Sequence, residues 1–125
     1  MKKLHIISSP RGERSKSKVL WEYLFSKMTW EKETLDLNAV EVPFLTSWVI
    51  AYDYGFATMN DLSDTDKKIA TIQDGFVKQI LEADEIVISA PLWNFSLPAI
   101  LKAYFDLILK ANDTFKMENW NFVGL

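Results

Sequence analysis

This sequence predicts an α/β fold with a mostly parallel sheet, and three observations lead there. Two short runs rich in β-branched residues, Leu4–Ser8 and Glu85–Ala90, each give way to a turn-rich segment. Between and after them the apolar spacing changes to the three-and-four rhythm of helices. The resulting order, strand-helix-strand-helix-strand-helix, suits right-handed crossovers between parallel strands.

Leu4–Ser8 reads as a buried strand stopped by Pro10 and Gly12. From Ser15 the pattern is helical: Val19, Leu20, Tyr23, Leu24 and Met28 form the predicted core face, with Ser15 or Ser17 as N-cap. Thr34–Leu37 alternates and reads as a second strand. Residues 38–60 show no single period, yet carry Phe44, Trp48, Tyr52, Tyr54 and Phe56, and are read as an aromatic excursion folded over something. A second helix is expected from Ser63 or Thr65 to Ala83-Asp84, with Ile69, Ile72, Phe76 and Ile80 inward. Glu85–Ala90 is the clearest strand, and its unbroken apolar run predicts burial on both faces. Pro91–Ser96 is a loop. Pro98 then opens a third helix that turns Ile100, Leu101, Tyr104, Phe105 and Ile108 to the core.

The chain has 125 residues, the size of one domain, and residues 1–125 are read as a single unit. Its net charge of -3 argues against a nucleic-acid partner, because phosphate-backbone affinity needs clustered Lys and Arg. It has no cysteine, which removes thiolate nucleophiles, disulfides and cysteine metal sites and fits a reducing compartment. The apolar start ends at Ser8-Ser9-Pro10, too early for an export signal, and no stretch approaches membrane-spanning length. The expectation is a cytoplasmic protein with no membrane partner.

In an open α/β sheet, ligands bind at the carboxyl ends of strands. Two loops leave strands there. Ser8–Ser17 offers hydroxyls and cationic groups and runs into a helix N-terminus, whose spare N–H donors suit a phosphate monoester. It is neither a Walker loop nor a dinucleotide fingerprint, and by itself it reads more readily as a solvated loop with a capping serine. In Pro91–Ser96, Trp93 and Phe95 flank Asn94, which suits stacking on a planar heteroaromatic ring and reading its polar edge. By itself that loop reads equally as a pair of core aromatics. His5 is expected to be structural, Asp61, Asp64 and Asp66 to serve a helix start, and no metal site is expected.

The stretch Ala90-Pro91-Leu92-Trp93-Asn94-Phe95-Ser96-Leu97-Pro98 and the following Leu101-Lys102-Ala103-Tyr104-Phe105-Asp106 resemble the signature segment of the FMN-dependent NADH-azoreductase and quinone-reductase family, which is flavodoxin-like. Ser8-Ser9-Pro10-Arg11 and Ser15-Lys16-Ser17 resemble that family's phosphate-holding loop, and Asn112–Phe115 its segment after the helix. The resemblance implies a three-layer α/β/α sandwich and FMN as cofactor. Phosphate contacts would come from Ser9, Ser15, Lys16 and Ser17, and ring contacts from Pro91, Leu92, Trp93, Asn94 and Phe95. It implies no side-chain nucleophile or base, since flavin carries the redox chemistry. NADH or NADPH would be the donor and a quinone or azo compound the acceptor, exchanged by ping-pong hydride transfer. A homodimer is implied, with the aromatic excursion as a wall supplied by the partner. Against the family pattern, the sequence stops before two further strands and their helices, so Glu85–Ala90 is expected to form an apolar edge that another chain covers. The alternative expectation is a weak or silent fragment acting only through association.

Overall fold

The computed structural model describes residues 1–125. Five β-strands and four α-helices occur in the order β1 (Lys2–Ile7), α1 (Lys16–Phe25), β2 (Glu31–Asp36), α2 (Ser47–Asp53), α3 (Asp64–Glu82), β3 (Glu85–Ser89), α4 (Ala99–Ile108), β4 (Phe115–Glu118) and β5 (Asn121–Gly124). The chain divides into two compact units, Met1–Val42 with Glu82–Lys102, and Pro43–Leu81 with Ala103–Leu125.

The first unit holds a three-stranded parallel sheet ordered β2-β1-β3. Ile7 is matched with Asp36 on one side and Ser89 on the other, so all three strands finish at one level. This is the first half of the 2-1-3-4-5 order of doubly wound sheets. Leu4, Ile6 and Leu37 are fully buried. The expected burial of β3 on both faces is not met: Ile86 and Ile88 are each 41% exposed, because β3 is an edge strand here. The edge position itself matches the expectation.

One predicted helix face is reversed. Val19, Leu20, Tyr23 and Leu24 of α1 point outward, and Leu20 and Tyr23 are each 62% exposed. Trp21 and Phe25 face the sheet instead. The cause lies in β1, which presents Lys3 and His5 on that side. Trp21 packs against the His5 ring at 5.8 Å, and Lys3 Nζ sits over the Trp30 ring and pairs with Glu85. A cation and an imidazole select flat, electron-rich partners over branched aliphatic ones. Trp21 and Phe25 are four apart, so one helix face supplies both.

In the second unit, Ile69, Ala70, Phe76 and Val77 of α3 and Ala103, Tyr104 and Leu107 of α4 are buried, and Phe76 meets Tyr104 edge-on at 5.1 Å. Ile72, Ile80, Phe105 and Ile108 are only half-buried. Within the aromatic excursion lies α2, unforeseen because it is two turns long and only Val49 is buried. Thr46 caps it: its hydroxyl accepts from Val49 N–H and donates to Asp66, tying α2 to the start of α3. Phe44 and Phe56 are exposed. Residues 115–124 form an antiparallel hairpin, also unforeseen, turning on Asn119 and Trp120 at positive φ. Asn-Trp is an uncommon pair for such a turn, which normally has glycine at its second position.

Candidate functional site

All the predicted site residues lie in the first unit, in the loops leaving β1 and β3. The register brings those loops to the same end of neighbouring strands. Side chains reinforce this junction. Ser8 donates both its backbone N–H and its hydroxyl to the Ser89 carbonyl, at 3.0 and 3.2 Å. His5 Nε2 and Ser89 Oγ are 2.7 Å apart in a fully buried setting. Burial, with smaller contributions from the charges of Lys32 and Lys18, pushes the His5 imidazole down to about 4. It is therefore neutral at pH 7 and structural, as expected.

The loop after β1 is tightly folded. Ser9 is buried and its hydroxyl accepts from Arg11 N–H at 3.3 Å. A 3-10 turn over Gly12–Arg14 follows, entered with Gly12 at φ 54, where a side chain would be strained. Ser15 is buried and caps α1, accepting from Lys18 N–H at 3.4 Å, a long and weak bond. Its hydroxyl lies 3.2 Å from that of Ser17. The N–H groups of Lys16 and Ser17, in the first turn, have no acceptor within the helix. Two hydroxyls, two spare N–H donors and the exposed Lys16 thus gather at the positive end of a ten-residue helix. That donor set fits a phosphate monoester.

The loop after β3 turns back on itself. Trp93 and Ser96 exchange two backbone hydrogen bonds, Trp93 N–H to Ser96 carbonyl at 2.7 Å and the reverse at 2.9 Å. Asn94 and Phe95 sit between them at φ 46 and 66, the positive-φ pair of a type I′ turn. For a bulky residue such as Phe95 this conformation is strained, by about 1–3 kcal/mol. Phe95 is also fully exposed, and Leu92 is 73% exposed. A strained backbone that holds an aromatic ring and a leucine in solvent gains nothing for the core. It is suited to a flat apolar ligand. Pro91 is half-buried, while Trp93 and Asn94 are exposed. The reading of Trp93 and Phe95 as core aromatics is thereby excluded.

Sequence reasoning missed the parts that hold these loops: the Ser8–Ser89–His5 junction, and the I′ turn, which lacks the glycine that would have signalled it. No group of His, Cys, Asp or Glu is arranged to hold a metal ion. Asp66 instead accepts from Ser63 and Thr46, and these bonds hold its carboxyl below the usual range. Asp61 closes a capping box with Thr58. No helix is long and apolar enough to cross a membrane.

A parallel β2-β1-β3 sheet with a hydroxyl-lined helix N-terminus after β1 and a projecting aromatic loop after β3 defines the class: a doubly wound α/β protein. The comparisons narrow it. The family model described as flavodoxin-like fold matches residues 1–125, and the chain belongs to that family. The FMN-dependent NADH:quinone oxidoreductase of Alteromonas mediterranea is 36% identical over 126 residues, taking in 98% of this chain and 62% of the relative. Its counterpart numbered 8 in Burkholderia lata is 35% identical over 119 residues, 89% of this chain and 54% of the relative. The crystal structure of azoreductase from Bacillus anthracis strain Sterne superposes with a TM-score of 0.83 at 29% identity, covering 100% of this chain and 63% of that one. An FMN-dependent NADH-azoreductase from the Ames Ancestor strain, solved in complex with FMN, gives 0.80 at 28% identity and covers 99% of this chain and 62% of that one. The chain therefore spans somewhat over half the length of the relatives it matches.

Proposed function

We propose that the chain binds FMN and serves as an NAD(P)H:quinone oxidoreductase or azoreductase. The observation that carries this reading is the pairing of the two loops, a phosphate-type donor set and an aromatic ring platform, on adjacent strand ends of a fold shared with an FMN-bound azoreductase. Ser9, Ser15, Lys16 and Ser17 hold the phosphate. Pro91, Leu92, Trp93, Asn94 and Phe95 hold the ring, with the apolar side chains against its face and Asn94 and the loop N–H groups on its polar edge. When bound, FMN supplies the redox chemistry between a nicotinamide donor, NADH or NADPH, and a quinone or azo acceptor. The protein needs no nucleophile; its work is to orient and to exclude water. Donor and acceptor use the exposed side of the platform in turn, which gives ping-pong kinetics. In a homodimer, the aromatic residues between Phe44 and Phe56 would wall the partner's site.

The test is a fluorescence titration of the chain with FMN, alongside its mass by light scattering. Saturable quenching, weakened at least tenfold in a Ser15→Ala/Ser17→Ala variant, supports the reading. No binding by a folded chain overturns it.

A further inference from the structure

The charges of the loop after β1 exceed what one phosphate needs. Arg11, Arg14 and Lys16 form no ion pair, whereas the only acid between Ser8 and Trp21, Glu13, is engaged 2.5 Å from Lys18 Nζ. Three uncompensated cations within Arg11–Lys16 reverse the sign of a chain whose net charge is -3. The backbone then sets two of them together. Arg14 N–H donates to the Arg11 carbonyl at 3.1 Å, closing a 3-10 turn. A turn closed in this way brings the two Cα atoms within about 7 Å, so one anion is within reach of both guanidinium groups. Both residues are exposed. A like-charge pair held this way is unfavourable on its own and becomes favourable when an anion lies between the two forks.

Resting on the flavin reading above, we propose that Arg11 and Arg14 form a second oxyanion subsite, distinct from the Ser15–Ser17 phosphate site, that takes a phosphate or sulfonate group carried by a substrate. The monoester on the cofactor carries about -1.5 to -2 and is matched by Lys16, the hydroxyls and the helix end. Arg11 and Arg14 are then left for a tetrahedral oxyanion arriving with the donor, as the 2′-phosphate of NADPH, or with the acceptor, as a sulfonate. Guanidinium forks fit such groups through paired hydrogen bonds, which an ammonium cannot match.

Two pairs of probes separate the sources. Calorimetric titration of the FMN-saturated chain with NADP+ and with NAD+, at about 20 mM salt, reads the donor. Titration with a sulfonated azo dye and its uncharged analogue reads the acceptor. A preference of about tenfold or more for the anionic member of either pair is expected, collapsing to within about twofold in Arg11→Gln/Arg14→Gln and shrinking at about 500 mM salt. Arg11→Lys/Arg14→Lys, which keeps the charge and loses the fork, should retain part of the preference. Equal affinities within both pairs, or preferences that survive Arg11→Gln/Arg14→Gln, overturn the subsite. The FMN titration itself is scored separately. If FMN does not bind, the same probes titrated into the free chain still decide whether the arginines select an oxyanion.

Discussion

His5 Nε2 and Ser89 Oγ meet at 2.7 Å across the β1–β3 pair, beneath the point where the loops after both strands begin. The other ring nitrogen, Nδ1, is buried with no hydrogen-bond partner. Protonation would place a charge there with nothing to meet it, which is why the imidazole stays neutral down to about 4.

A pH dependence follows. The folded imidazole titrates near 4 and the unfolded one near 6.5, so between those values the unfolded chain holds more protons. Stability contributed by His5 is complete above that window and is lost as pH falls through it, by roughly 3 kcal/mol at most. Urea midpoints at several pH values should show this fall. In His5→Gln the part of the fall between pH 6.5 and 4 should be smaller, with only the carboxylates remaining.

Strain at Phe95 predicts opposed effects on stability and binding. Phe95→Gly should raise the unfolding free energy by about 0.5–1 kcal/mol, because glycine adopts positive φ freely. It should weaken FMN binding, because the exposed ring is lost. A thermal melt and a flavin titration on one preparation check both.

Lys110 joins three carboxylates of the second unit. Its Nζ lies 2.6 Å from Asp74, 2.9 Å from Asp113 and 4.0 Å from the buried Asp53. Burial works against its charge, but the hydrogen bonds and charges of Asp74 and Asp113 outweigh it and hold the lysine above its ordinary range. Burial pushes Asp53 up, against the hydrogen bond from Gln73 and the charge of Lys110. Lys110→Met strands Asp53 and should cost about 3 kcal/mol. Asp53→Asn leaves Lys110 with two partners and should cost clearly less. Chemical denaturation of both variants gives the comparison.

The reversed face of α1 is tested by a contrast. Leu20→Lys should leave stability within about 0.5 kcal/mol, since the side chain already faces solvent. Trp21→Ala removes the contact with His5 and should cost about 3 kcal/mol. Had the sequence reading of that helix been right, the order would be the opposite.

Much of the fold was legible, and for one reason. Leu4–Ser8, Glu85–Ala90 and the helix from Ser63 are long or strongly periodic, so their type and order could be read directly. The two loops that leave β1 and β3 were legible as well, from serines before a helix and aromatics after a strand. What escaped depended on long-range pairing. The burial of Trp21 over Leu20 is decided by Lys3 and His5 on another element, and α1 carries apolar residues on both sides. The β4–β5 hairpin and the Trp93–Ser96 turn rest on Asn119-Trp120 and Asn94-Phe95, pairs without the glycine that marks such turns. The short α2 depends on Thr46 reaching Asp66, a partner on α3.

The strand order β2-β1-β3 also carries a consequence for how the molecule comes into being. β1, the middle strand, is made before both of its neighbours, and the second of them begins only at Glu85. Until the chain has been made past Glu85 the central strand has one open side, and its isoleucines wait for a partner encoded far downstream. The entropy of closing so long a loop is modest, about 0.6 kcal/mol for each doubling of length. The cost is in time: distant parallel pairing makes for slow folding, and the nascent sheet is open to wrong partners until β3 arrives.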